Sequence, residues 1–148
     1  MIASQITLLR RSWAQVQPAQ AEVASLFYDR LFQLDPSLRA LFHTDLEQQG
    51  RKLMAALSFV VEGLDDLPQR LPTVQALARR HAGYGVQPDH YDTVGRALLW
   101  TLQQGPGDAA TDEVLQAWRQ AYALISGVMI EAAWPAPLAA TEWQAQAG

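Results

Sequence analysis

The amino-acid sequence predicts an all-α domain built from roughly seven or eight helices. Along most of the 148 residues, apolar side chains recur at the spacing of one helix face. No segment keeps the apolar–polar alternation of a half-buried strand. Proline and glycine divide the chain into helices of uneven length with short connections, which argues against a simple four-helix bundle.

The first two helices are predicted from their apolar stripes. One spans about residues 4–16, and the next runs from Pro18, which suits a first helical turn, to about Leu34. The side chains expected to face the core are Ile6, Leu9, Trp13, Val16, Val23, Phe27, Leu31 and Leu34. These two helices should therefore supply much of the core.

A short helical segment and a long helix are predicted next. Asp35 is a suitable N-cap and Pro36 fits a first turn, so a short segment begins there and ends near Phe42. Residues 43–46 form a connector, and the long helix after them reaches about Leu64. Its inner stripe is Leu53, Leu57, Val60 and Val61.

The second half of the chain is predicted to hold three further helical segments. Because residues 67–83 contain Pro68 and Pro72, we expect that segment to become regular only near its end. Two long helices follow at about 90–104 and 109–134, with Asp108 or Thr111 as the cap of the second. Residues 1–134 should form one domain, followed by a loosely attached tail at 135–148.

Composition excludes several classes of protein. The net charge of −4 and the lack of long basic runs argue against nucleic-acid binding, and the absence of cysteine excludes disulfides and thiolate metal ligands. No apolar run is long enough to cross a membrane, and the first residues do not resemble a signal peptide. We therefore expect a cytoplasmic protein that binds neither nucleic acid nor membrane.

His81 is the first candidate functional residue. Val74 and Leu77 precede it by seven and four positions, so the imidazole shares the apolar face of its helix, whereas Arg79 and Arg80 point elsewhere. A buried imidazole needs a partner for its nitrogens, either a hydrogen bond or a metal ion. Taken alone, such a histidine is more often a satisfied core residue.

Three other segments supply further candidates. Tyr28 lies on the second helix, Phe42 closes the short segment, and Gln49 and Leu53 share one face of the long middle helix. Tyr28, Phe42 and Leu53 could equally be ordinary core residues, and Gln49 could face solvent. None of these residues decides the function by itself.

Together with His81, these residues form an ordered pattern. It comprises Leu26-Phe27-Tyr28, Leu41-Phe42, Gln49-Gly50-Arg51-Lys52-Leu53-Met54, Arg79-Arg80-His81, Tyr84-Gly85-Val86, His90-Tyr91, Val94-Gly95 and Ala117-Trp118 with Tyr122. With this pattern the chain resembles the globins, and within them the bacterial single-domain haemoglobins related to flavohaemoglobins. The resemblance covers about residues 4–134 and implies the globin fold, a three-over-three helical sandwich enclosing a haem pocket.

The resemblance also implies a role for each matching residue around a non-covalent haem b. His81 would bind the iron through one ring nitrogen while the other donates to an acceptor such as a carbonyl. The remaining cofactor contacts would be Phe42, Leu53, Leu77, Val86 and Tyr91. Tyr28, Gln49 and Leu53 would face a bound gas such as oxygen, nitric oxide or carbon monoxide.

The sequence departs from the flavohaemoglobin pattern beside the iron ligand. Tyr91 falls at the position of a family tyrosine, but Ala133 falls where that family has a glutamate. Glu131 is two residues away and would point to another side of the helix. His43, at the corner after Phe42, is expected to be exposed, although a swing inward could make it an iron ligand. Gln49 or Tyr28 could also ligate ferric iron transiently, whereas His90 is more simply part of a polar helix start.

Four functions remain open at this level. The leading one is reversible oxygen binding for storage or transport. The second is nitric oxide dioxygenation or peroxidase-like detoxification, which needs an external reductase because no G-x-G-x-x-G motif is present. The others are a gas sensor and a helical interaction module without cofactor. A monomer and a homodimer are both compatible with the sequence.

Overall fold

The computed structural model describes residues 1–104 and 111–135, and within them every regular element is helical. The six α-helices are α1 (Ala3–Val16), α2 (Gln20–Leu34), α3 (Leu46–Glu62), α4 (Leu67–Gly83), α5 (Pro88–Gln103) and α6 (Asp112–Ala133). Two 3₁₀ segments, Gln17–Ala19 and Pro36–Leu41, flank α2. The all-α prediction is confirmed. The predicted tail falls mostly outside the described residues, as does the Gly105-Pro106-Gly107 break.

The prediction for α4 was wrong in one respect. The helix is regular from Leu67 onward, with Pro68 in its first turn and Pro72 inside it. Pro72 removes one backbone hydrogen bond, but it lies on the exposed side, where water can satisfy the carbonyl that it leaves free. The buried Val74 and Ala78 hold the opposite face against the neighbouring core. The packing of Val74 and Ala78 therefore outweighs the tendency of Pro72 to interrupt the helix.

Two other helix starts differ from prediction by a few residues. A 3₁₀ turn holds Pro18, so α2 begins at Gln20 rather than at the proline. Helix α5 begins at Pro88, and His90 Nδ1 accepts the Gln87 N–H at 2.9 Å. The polar helix-start role expected of His90 is thereby confirmed.

Side-chain caps fix the ends of the central helices. Asp35 accepts from the Ser37 N–H, as predicted, and Asp45 accepts from the Gln48 N–H to begin α3. At the other end of α3, the Arg10 guanidinium donates to the Glu62 carbonyl at 2.9 Å and pairs with Asp65 at 2.8 Å. Thr111 caps α6 through the Val114 N–H. Arg10 is therefore a structural cap rather than a solvated residue of a helix face.

The helices pack as two layers of three. Helices α1, α3 and α4 form one layer, and α2, α5 and α6 form the other. Contacts between the layers join α1 and α4 to α6 and join α2 to α3. Two tryptophans tie α1 to its neighbours, because Trp13 donates to Ser58 on α3 and Trp118 donates to Ser12. The three-over-three arrangement expected from the sequence is confirmed.

A glycine sets how closely α2 and α3 approach. A Cβ added to Gly50 would lie 2.9 Å from the Cβ of Ala24, a distance that real side chains do not tolerate. Neither atom belongs to a flexible side chain, so the contact could be relieved only by moving a helix. Gly50 directly follows Gln49, and Ala24 lies one turn before Tyr28. The crossing therefore positions two of the candidate site residues.

The close crossing predicts a stability difference between two glycine substitutions. Alanine at either position gains about 0.5–1 kcal/mol from helix propensity. Only at Gly50 does it also meet a fixed neighbour, and overpacking of that kind costs roughly 1–3 kcal/mol. Gly127, inside α6, has nothing within 4 Å of its added Cβ and serves as the control.

We therefore expect Gly50→Ala to be less stable than Gly127→Ala by about 1–3 kcal/mol. Urea unfolding of the two purified variants measures the difference in free energy of unfolding. Equal stabilisation by both substitutions would show that α2 and α3 do not touch at this point.

Candidate functional site

The buried apolar side chains of the described residues form two clusters rather than one continuous core. The larger cluster joins α1, α2, α3, α5 and α6. The smaller lies among α4, α5 and α6 and consists of Val74, Ala78, Tyr91, Ile125 and Met129. Val60 packs against both clusters. The candidate residues lie on both sides of the division between these two clusters.

An aromatic group from α2 and the segment after it lies on the side of the larger cluster. The rings of Tyr28 and Phe42 meet edge to face with centroids 5.4 Å apart, and Phe32 packs against both. Tyr28 is buried, and this burial raises its pKa to about 12. Its hydroxyl therefore remains a neutral donor at physiological pH. The structure thus brings Tyr28 and Phe42 into direct contact.

Helix α3 brings Gln49 and Leu53 to the same region. Leu53 is half-buried and packs against the larger cluster. Gln49 is also half-buried, and its amide donates a hydrogen bond to the Thr44 hydroxyl. An amide nitrogen carries two hydrogens, so one donor remains after this bond. Sequence reasoning missed Thr44, for which only the polar connector at 43–46 gave a signal.

His81 projects from the last full turn of α4. Its Nδ1 donates to the Leu77 carbonyl at 2.9 Å, so Nε2 carries the lone pair of the neutral imidazole. The ring is half-buried. Burial lowers the pKa of His81, the bond to Leu77 opposes that shift, and the Arg80 charge adds to it. The neutral form, which is the one that binds metal, is therefore favoured.

The turn after α4 holds Val86 next to His81. The Val86 N–H donates to the His81 carbonyl at 3.1 Å, and the preceding Gly85 has a φ of 99°, which favours glycine. A Cβ added to Gly85 would lie 3.3 Å from Leu41 Cδ2, so this turn touches the segment that carries Phe42. Val86 and Leu77 both pack against the smaller cluster.

Tyr91 is a buried member of the smaller cluster. Its hydroxyl is buried without a hydrogen-bond partner in the described part of the chain, and burial raises its pKa. Its backbone is fixed separately, because the Tyr122 hydroxyl donates to the Tyr91 carbonyl at 2.5 Å. Gly95 makes room for this arrangement, since an added Cβ would lie 2.7 Å from the Tyr122 ring. Tyr91 is thus firmly held while its own hydroxyl has no partner.

The C-terminal end of α6 packs against the same tyrosine. Glu131 is exposed, whereas Ala133 is half-buried against the smaller cluster, as the sequence led us to expect. Trp134 packs edge to face on Tyr91 with ring centroids 6.1 Å apart. Sequence reasoning missed Trp134, although a tryptophan at the end of an apolar helix stripe was a possible signal.

The structure joins the candidate residues into two groups. Tyr28, Phe42 and Leu53 belong with the larger cluster, whereas Leu77, Val86 and Tyr91 belong with the smaller one. His81 joins the second group through its bond to Leu77. Gln49 is held beside the first group by Thr44. His43 is exposed at the corner after Phe42, as expected.

A separate surface cleft of about 420 Å³ lies between α5 and α6. Of the candidate residues, it includes only Tyr91, so it does not coincide with the site described above.

Among the described residues, no group of three histidine or acidic side chains could hold a metal ion. None of the described helices is long and apolar enough to cross a membrane.

The comparisons of this chain with known proteins agree on one family. The family profile described as Globin matches residues 25–129. The chain is 34% identical over 134 residues to a flavohemoprotein of Bordetella parapertussis, covering 88% of this chain and 33% of that protein. It is 38% identical over 108 residues to a flavohemoprotein of Halalkalibacterium halodurans, covering 71% and 26% of the two chains. It thus spans about a quarter to a third of these relatives.

Solved structures agree with the fold. One is an engineered carbene transferase from Rhodothermus marinus, described provisionally as a nitric oxide dioxygenase. It has a TM-score of 0.80 at 25% identity, with 100% of this chain and 99% of that chain covered. A bacterial globin of Campylobacter jejuni has a TM-score of 0.77 at 23% identity, covering 89% and 96% of the two chains.

Proposed function

The chain belongs to the globin family, and on that premise we propose that it is a haem b protein that binds oxygen and other diatomic gases reversibly. The observation that carries the proposal is the hydrogen bond from His81 Nδ1 to the Leu77 carbonyl. It fixes the tautomer in which Nε2 is an available metal ligand. The relatives named as flavohemoproteins support the choice of cofactor.

The residues present fit a flat apolar group between the two clusters. Phe42, Leu53, Leu77 and Val86 are large apolar side chains, yet all four are only half-buried. The buried Tyr91 hydroxyl has no partner among the described residues, which is uncommon in folded proteins and often marks a functional site. We assign the first four residues to the contact with the porphyrin and Tyr91 to the side of the iron ligand.

Tyr28 and Gln49 would recognise the bound gas. When bound, the haem supplies an iron that combines reversibly with oxygen, nitric oxide or carbon monoxide. The raised pKa of Tyr28, about 12, keeps its O–H protonated, and the second amide hydrogen of Gln49 is free of the bond to Thr44. A hydrogen bond to a charged acceptor contributes about 1.5–3 kcal/mol, so each donor would favour the ligand that carries more negative charge.

The second candidate function is nitric oxide dioxygenation with electrons from a separate reductase. It is favoured by the structural relative from Rhodothermus marinus, which is described provisionally as such an enzyme. The distal donors Tyr28 and Gln49 suit either function because both begin with retention of oxygen. Catalytic consumption of nitric oxide in the presence of a reductase would separate this activity from stoichiometric binding.

The absorption spectrum of the purified protein tests the haem assignment. We expect a Soret band in the unmodified protein and its loss, or at least a tenfold lower haem content, in His81→Ala. His43→Ala is the matched control. Because His43 is exposed, this variant should retain haem fully. The melting temperature should fall in His81→Ala as well, since bound haem stabilises the folded state.

Unmodified protein without a Soret band after reconstitution with haem would refute the proposed cofactor. A full haem content in His81→Ala together with a loss in His43→Ala would move the iron ligand to the other histidine.

Oxygen dissociation tests the distal assignment. Tyr28→Phe and Gln49→Leu should each raise the oxygen off-rate roughly 10- to 100-fold, because each removes one hydrogen bond to a charged acceptor. Carbon monoxide dissociation should change much less, since that ligand carries less charge. Stopped-flow ligand exchange measures both rates, with Tyr84→Phe, whose ring is exposed, as the control. Unchanged oxygen off-rates in both variants would contradict the assignment.

A further inference from the structure

Helix α4 and the turn after it carry an unusual charge. The whole chain has a net charge of −4, yet residues 67–88 contain three arginines and neither aspartate nor glutamate. One of these, Arg70, is occupied internally, because it donates to the Phe59 carbonyl at 2.9 Å and lies over the Phe59 ring. The remaining positive charge is therefore concentrated at Arg79 and Arg80, at the end that carries His81.

Arg79 and Arg80 are exposed and take no part in the ion pairs found among the described residues. By contrast, Arg10, Arg51 and Arg96 each have a carboxylate within 4.0 Å. An arginine near a helix C-terminus stabilises the helix dipole by about 0.3–1 kcal/mol, which can account for one such residue. It does not account for two adjacent arginines without a carboxylate on the same segment.

An exposed aromatic ring lies beside the two arginines. Tyr84 forms the C-cap of α4 and is 64% exposed, and it is among the most exposed large apolar side chains of the described residues. Ala76, one turn before Arg80, is exposed as well. At 3.6 residues per turn, Ala76, Arg79, Arg80 and Tyr84 lie within about 140° of the helix circumference. We call these four residues the α4 cationic face.

The composition of the α4 cationic face is typical of a protein interface. Arginine and tyrosine are enriched at the centres of such interfaces, and both provide large contact areas. Two adjacent positive charges select a partner surface of opposite sign and accelerate its encounter. The chemistry therefore fits an acidic protein surface rather than a second copy of this chain, which would bring the same arginines together across a two-fold axis.

The α4 cationic face also adjoins the candidate site. Arg80 directly precedes His81 in the sequence, and the Tyr84 N–H donates to the carbonyls of Arg80 and His81, each at 3.1 Å. A protein bound to this face would contact the helix turn that carries the proposed iron ligand.

We propose that the α4 cationic face docks an acidic electron-donor protein that reduces the haem iron. This proposal rests on the proposed function, because it takes His81 as the iron ligand. In each encounter the partner's reduced flavin loses one electron and ferric iron gains it, so the electrons balance and no bond is formed or broken. Arg79, Arg80 and Tyr84 would bind the partner and would not take part in the transfer itself.

The test uses reduced flavodoxin, a small acidic flavoprotein, with the haem-containing protein. The double variant Arg79→Glu/Arg80→Glu should lower both flavodoxin affinity and the second-order rate of ferric haem reduction at least tenfold at low ionic strength, a typical size for electrostatic steering. The rate for unmodified protein should fall with added salt. Tyr84→Ser should weaken binding without altering the salt dependence.

The matched control is Arg11→Glu/Arg119→Glu, which changes the net charge equally through exposed arginines on α1 and α6. Its rates should stay within about twofold of the unmodified protein. Photoreduced riboflavin, which has no acidic protein surface, should reduce every variant at nearly the same rate. Equal losses in both double variants, or an α4 variant that behaves as unmodified protein, would overturn the docking proposal.

The two proposals fail in distinguishable ways. Flavodoxin binding is measured separately from haem reduction, and the Soret band of each sample is recorded first. A protein with haem whose flavodoxin affinity is indifferent to Arg79→Glu/Arg80→Glu refutes the docking face alone. A protein that cannot hold haem refutes the proposed function and, with it, the electron-transfer role of the face.

Discussion

The hydrogen bond between His81 and the Leu77 carbonyl is the interaction on which the proposed iron ligand depends. Because donor and acceptor lie one helical turn apart, the bond exists only if α4 is regular at that point. The helix is held regular by the buried Val74 and Ala78 despite Pro72 in its interior. Packing of the smaller cluster thus fixes the helix, the helix fixes the carbonyl, and the carbonyl fixes the ring.

A second constraint positions the opposite side of the site. The backbones of α2 and α3 approach so closely at Gly50 and Ala24 that no larger side chain fits between them. Tyr28 lies one turn after Ala24 and Gln49 directly precedes Gly50, so the crossing fixes the positions of both residues. The proposed gas-binding residues Tyr28 and Gln49 therefore depend on a steric requirement of the backbone, whereas the proposed iron ligand His81 depends on a hydrogen bond. Substitutions that loosen the crossing of α2 and α3 should therefore displace Tyr28 and Gln49 but not His81.

Much of this arrangement could be predicted from the sequence, because helical periodicity is a local signal. It correctly placed Leu9, Trp13, Phe27 and Leu31 in the core. The site required more, since side chains far apart in sequence meet there. Thr44 as the partner of Gln49 and Trp134 on the Tyr91 ring depend on tertiary packing that no spacing encodes.

The central claim is that His81 Nε2 binds the iron of a haem. Resonance Raman spectroscopy of the ferrous protein measures the iron–histidine stretching band directly, and labelling histidine with heavy nitrogen identifies it. We predict a band that shifts on labelling, disappears in His81→Gly and returns in that variant when free imidazole is added. A labelled band that persists unchanged in His81→Gly would contradict the account.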